Sequence, residues 1–342
     1  MTVAGGDVTA SSGSGAGIGG GDSSAACNVT ISKGTVQKAE SMTGAGTGGG
    51  FGGDGGTVNI EGGTVNALAS EDSSGFLSAG AAIGGGSSRT NYAVNISGAN
   101  TKVTATAESG AGIGCGDSGS AGTVSVSDGV VYATSNGTGA CIGSGYAGGD
   151  CTVTISGGKV YAGLYDDGGQ TDGAGIGGGE GGNGGVVTVL GGEVYARSAL
   201  GGAGIGGGYG GAGGTVELKG GKVVAWSQQD GNGQAIGHGQ DGGGDDKLTI
   251  GYDASVAAGT DEEHAAYVTL SEEDDGRLDA CRQYWAMVSP CDHKDVGIYY
   301  AFSWDTLKYD VHCVRCGALL GQELHDLVTK VVKDDPASTL VW

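Results

Sequence analysis

The chain has 342 residues, of which 80 are Gly and only 2 are Pro, so it lacks the Pro content and the strict three-residue glycine period of collagen. Hydrophobic residues make up 38% and recur with a period, which argues against a disordered polymer and for a regular fold. The net charge of -22, from 38 acidic against 16 basic residues with no Lys/Arg cluster, argues against binding to nucleic acid or to anionic lipid surfaces.

The opening stretch, MTVAGGDVTASSGSGAGIGGG, has neither a charged n-region nor an apolar h-region and does not read as a signal peptide. Residues 6–10 (GDVTA) match the second strand of later repeats, so the chain is expected to be a fragment of a longer product. No apolar run reaches the roughly 18 residues of a membrane span.

A motif of the form GAGIGGG then returns about every 30 residues. Anchored on its apolar residue, the copies fall at Ile18, Ile83, Ile113, Ile142, Ile176, Ile205 and Ile236, with Thr47 in the slot of the second copy. A strand pair of the form TVTISGGKVYA precedes the motif. In the clearest copy, residues 151–182, Val153 and Ile155 share one face, Gly157 and Gly158 form a turn, and Val160 and Ala162 share the next face with Tyr161 outside. Ala174 and Ile176 supply the apolar members of a third short segment.

The same alternation puts Val58, Ile60, Val65 and Ala67 inward in one coil and Val94, Ile96, Val103 and Ala105 in the next. Val124, Val126, Val131 and Ala133, then Val187, Val189, Val194 and Ala196, then Val216, Leu218, Val223 and Ala225 continue the series. No single copy can bury its own aliphatic residues, so neighbours must stack and share one core. The expectation is an all-β fold, a parallel β-solenoid of about eight triangular coils over residues 1–259, right-handed by the general chirality of parallel crossovers. A bundle of polyproline II helices is the rival, but TVTI and KVYA violate the three-residue glycine spacing it needs.

This organisation resembles the Gly-rich repeat proteins of bacterial cell surfaces and, more loosely, the β-helix group of adhesins and polysaccharide-active proteins, over residues 1 to about 258. The resemblance implies an extracellular bacterial surface stalk or adhesin-like interaction module, not an enzyme, whose partner is an extracellular glycan or protein surface.

Because coils repeat at about 4.8 Å, one slot in the repeat becomes one column on the surface. The outward slot of the second strand reads Thr9, Gln37, Asn66, Thr104, Tyr132, Tyr161, Tyr195 and Val224. Its three tyrosines form either a stacking ladder that stabilises the sheet or an aromatic platform for a glycan. A second column holds Phe51, Tyr146, Glu180 and Tyr209; a third, Thr30, Asn59, Asn95, Ser125, Thr154, Thr188 and Glu217, reads as a solvated face. Asp54, Asp150 and the acidic loop of Asp166, Asp167 and Asp172 only faintly suggest calcium sites. A polysaccharide-cleaving enzyme would need paired carboxylates on one face, whereas Glu193 and Glu217 lie on different strands. His238 replaces a glycine and is expected to cap the core.

After Gly259 the glycine content falls and cysteines, charge and aromatics rise, so residues 260–342 are expected to form a separate small α+β module. Ser271, Glu272, Glu273 and Asp274 read as a helix start, with the helix running to about Tyr284. VGIYYAFSW and LKYDVHC, joined at Asp305 and Thr306, read as a hairpin. It brings Cys291-Asp292-His293 to the knuckle His312-Cys313-Val314-Arg315-Cys316-Gly317, a donor set that suits zinc. This pattern resembles the zinc-ribbon-like CxH...CxxCG modules near the ends of bacterial surface repeat proteins, which implies Cys291, His293, Cys313 and Cys316 as ligands of a structural zinc, with His312 as an alternate. Disulfides, Cys281 with Cys291 and Cys313 with Cys316, are the competing reading. Cys27, Cys115, Cys141 and Cys151 read as free, small, buried thiols of the solenoid, and His264 and His325 as exposed residues.

Overall fold

The computed structural model describes residues 1–323 apart from 26, 54, 71–79, 88–91, 120–121, 164–171, 229–231, 245, 252, 270–276, 295 and 304–307. The helix start at Ser271, the hairpin turn at Asp305 and Thr306, and Asp54, Asp166, Asp167 and His325 lie outside the described residues.

Eight parallel coils stack along one axis. The first two open on single long strands, Thr2–Ser12 and Val29–Ser41; from the third coil a turn divides the pair, as in Gly56–Ile60 and Thr64–Ala69. These strands belong to one 18-stranded sheet, and the third segments form a separate 8-stranded sheet of two-residue strands. Register is kept from coil to coil: Val58, Val94, Val124, Val153, Val187 and Val216 face one another in succession. Every inward residue named from the alternation is buried, and together they form one core. Stacking is therefore what removes these side chains from water, at about 25 cal/mol per Å² of apolar surface.

The third wall explains much of the glycine. Ile18, Ile83, Ile113, Ile142, Ile176, Ile205 and Ile236 are at most 1% exposed, and Thr47 occupies the slot in the second coil. The glycine after each of these positions has φ between 132° and 150°. From Gly19 to Gly206 a Cβ in this column would overlap the carbonyl oxygen of the equivalent glycine one coil further on. Only glycine lets these backbones approach.

Two details depart from the sequence expectation. In the second coil Val36 pairs with Val65 but Ala39 pairs with Ala67, so Gln37 and Lys38 share the outward slot in a β-bulge, and Thr9 faces Lys38 instead of Gln37. The only helix among the described residues of the C-terminal segment is Arg277–Ala280. Turns replace its expected continuation to Tyr284, because the carbonyls of Cys281, Gln283 and Tyr284 accept the amides of Ile236, Ala235 and Ser227, which would otherwise be left open on the last coil.

The chain then reverses direction. Trp285–Pro290 inserts antiparallel between Lys222–Ser227 of the eighth coil and Ala254–Gly259, and Ala280, Cys281, Ala286 and Val288 complete the solenoid core. Thus a strand from 260–342 lies in the solenoid's own sheet. Beyond it, Ile298–Ser303, Lys308–Cys313 and Leu319–Glu323 form a three-stranded antiparallel sheet. No helix of the described residues is long and apolar enough to cross a membrane.

Candidate metal centre

Cys291 directly follows the capping strand Trp285–Pro290, and its amide donates to Asp253 O at 2.9 Å. Cys313 ends the strand Lys308–Cys313, where pairing with Ile298–Ser303 sets its direction. A tight knuckle follows. Gly317 donates its amide to Cys313 O at 2.9 Å, Arg315 donates its amide to Cys313 Sγ at 3.4 Å, and Gly317 takes φ 75°, which favours glycine.

These elements bring Cys291, His293, Cys313 and Cys316 together with one ligand atom from each, all within 4.8 Å of one another. Cys291 Sγ lies 3.8 Å from Cys313 Sγ, and Cys316 Sγ lies 3.6 Å from His293 Nδ1. A tetrahedron with Zn–S bonds of about 2.3 Å has edges of about 3.8 Å, so the spacing is that of a ligand shell, whereas a disulfide needs about 2.0 Å. The cluster can hold a metal ion.

His312, the alternate ligand, is directed elsewhere: its Nδ1 donates to Gly317 O at 2.8 Å and its ring stacks on Tyr299 at 5.1 Å. The structure joins none of the eight cysteines in a disulfide; of the solenoid cysteines Cys115, Cys141 and Cys151 are buried, as expected, whereas Cys27 is only half-buried. Cys281 cannot serve Cys291 because it faces the solenoid core.

The electrostatics of the cluster favour one thiolate. Burial pushes the Cys313 thiol up, but hydrogen bonds from His293, from the amides of Arg315 and Cys316 and from the Cys316 side chain outweigh it and bring it down to about 7. Burial, aided by the neighbouring Cys313 and Cys291 sulfurs, pushes Cys316 up to about 12. Three thiolates at this spacing need a divalent cation among them to ionise together.

The tyrosines also come together, but in a different manner from a platform. Tyr132, Tyr161 and Tyr195 stack face to face with centroids 4.9 Å and 5.1 Å apart and planes 7° from parallel. Lys102 Nζ lies 5.9 Å from the Tyr132 ring and Lys222 Nζ 5.7 Å from that of Tyr195. Thus both ends of the ladder carry a lysine. In the solvated column, Asn95 Nδ2 donates to Asn59 Oδ1 at 2.8 Å across one rung. Glu193 pairs with Lys159 at 3.1 Å and Glu217 with Lys219 at 2.6 Å, so each carboxylate is engaged by a lysine. His238 Nδ1 donates to Gly239 O at 2.9 Å, leaving Nε2 to accept from Gln234 at 2.8 Å, as a local cap requires.

Sequence reading missed a buried serine column. The hydroxyls of Ser41, Ser135, Ser198 and Ser227 donate to the carbonyls of Gly15, Gly110, Gly173 and Gly202, closing the corner between the second and third strands. The recurrence of Ser two positions after the inward Ala, at Ala39, Ala133, Ala196 and Ala225, was the available signal.

Among family models, that of the beta helix repeat matches residues 2–22, 29–51, 58–87, 94–117, 153–180 and 183–209. Each matched segment spans part of one coil, so the chain carries β-helix repeats. No curated protein and no solved structure gave a match.

Proposed function

We propose that this protein is a non-enzymatic extracellular display module, a stalk or adhesin-like element of a bacterial surface, closed at one end by a zinc-stabilised module. The observation that carries the reading is the register kept from the third coil to the eighth, which holds outward groups at a fixed repeat. Identical groups at a fixed spacing give avidity from weak individual contacts. The tyrosine ladder supports a structural role, because ring faces that stack on each other are not offered to a sugar. The lysine pairing of Glu193 and Glu217 likewise supports a role other than acid/base cleavage.

Zinc is the ion that the Cys3His donor set and the spacing favour, and four protein ligands make it structural, with no position left for substrate. Protein purified without added metal is expected to carry about one equivalent of zinc; less than about half an equivalent sinks the assignment. The display reading is tested on a glycan array and with acidic polysaccharides. A signal that disappears in Tyr161→Ala, or release of reducing or unsaturated sugar, overturns it in favour of a glycan-binding or polysaccharide-cleaving protein.

A further inference from the structure

Where the last coil meets its cap, Trp226 and Trp285 are directly opposed partners across the antiparallel pair. Both line a cleft of about 520 Å³ whose other walls include Gln228, Asp261, Glu262 and Glu263. Trp285 forms a rigid floor, since it is packed with Val224, Ala257 and Met287 in a cluster separate from the solenoid core. The acidic wall is also held in place: Asp261 accepts the His264 backbone amide at 2.8 Å and its ring Nδ1 at 2.7 Å. Glu262 and Glu263 are exposed and make no ion pair among the described residues. Arg197, the register neighbour of Trp226 on the preceding coil, does not line the cleft.

We propose that this cleft binds a small alkylammonium cation, with the half-buried indole of Trp226 against its alkyl groups, buried Trp285 supporting it from beneath, and the carboxylates of Glu262 and Glu263 near its charge. The two halves of the cleft select for the same ligand. An indole face attracts a cation through its quadrupole, and the two exposed carboxylates at one rim add Coulomb attraction that a neutral ligand cannot use. A cleft of this size falls within the usual range of small-ligand sites. A free alkylammonium ion and the headgroup of a choline lipid present the same charged group, and the vesicle arm of the test below distinguishes them.

The test is a titration of the whole chain with choline, followed by tryptophan fluorescence, beside the neutral isostere 3,3-dimethylbutan-1-ol and a neutral monosaccharide. Saturable choline binding, at least about tenfold tighter than the isostere, is expected. Trp226→Ala should weaken it about tenfold, and the exposed double variant Glu262→Gln/Glu263→Gln should weaken it several-fold without touching the core. Equal binding of choline and its isostere, preference for the sugar, unchanged binding in the Glu variant, or no saturation by choline overturns the proposal. Co-sedimentation with phosphatidylcholine vesicles identifies the source as a lipid headgroup, and saturable choline binding without it identifies a free cation. Circular dichroism of Trp226→Ala keeps loss of binding distinct from loss of fold.

Discussion

At the scale of single residues, two side chains work against the fold that contains them. Thr47 stands where the other coils have Ile, and its Oγ1 is buried with no hydrogen-bond partner. A buried hydroxyl left unpaired costs about 1–3 kcal/mol, so Thr47→Val should raise the denaturant midpoint by a corresponding amount without altering the slope. A lowered midpoint would show that the hydroxyl is satisfied in solution. Asp117 is the second case: burial pushes its carboxyl up to about 6, against an opposing hydrogen bond from the Tyr146 amide. Its folded form holds a proton more tightly than the unfolded chain, so its contribution to stability falls as pH rises from about 4 to 6. Because the group is partly open to solvent, Asp117→Asn should gain only about 1 kcal/mol at pH 7 and flatten the stability profile in that window. Equal pH profiles for the two proteins would contradict the assignment.

At the scale of elements, the glycine wall is the least tolerant part of the coil. Gly143→Ala would drive a methyl group into the carbonyl of Gly177 at a φ of 141° that alanine rarely adopts. A loss of about 3 kcal/mol or more in thermal unfolding is expected, against almost none for Gly243→Ala, where a Cβ meets nothing within 4 Å. Much of this element structure could be read from the sequence. Alternation in segments such as TVTI and KVYA fixed which faces are buried, because a one-residue slip would turn every Val outward. The bulge at Gln37 and Lys38 was legible only as one extra residue between Val36 and Ala39. The capping strand was not legible, since WAMVSP has no repeat partner and its pairing with Lys222–Ser227 is antiparallel and distant in sequence. For the metal centre, the knuckle residues set their own geometry locally, but the choice of His293 over His312 depended on the contact of His312 with Gly317 and Tyr299.

At the scale of the whole molecule, the metal centre and the solenoid share supports. The Cys291 amide is bound to Asp253 O, and the Arg277 guanidinium donates to both Cys316 O and Ala254 O. Removing the ion should therefore loosen more than the small sheet. Chelation, or Cys316→Ser, is expected to raise hydrogen exchange in Ala254–Gly259 and Trp285–Pro290 while the central coils stay protected, because each coil depends mainly on its neighbours. Metal affinity should fall more steeply once pH drops below about 7, because the Cys313 thiol of the metal-free protein is then protonated and the ion must displace that proton. Uniform exchange across all coils on chelation would show that the centre is not tied to the cap.

The corner between the second and third strands has a consequence for engineering. The chain between the two strands is 13 residues long in the third coil, from Ala69 to Ile83, but six in the fifth, from Ser135 to Ile142, and the isoleucine ladder keeps its register across both. Foreign peptides spliced into that corner on successive coils would be carried outward at regular intervals of one rung, which makes the chain a molecular ruler on which antigens can be spaced at will.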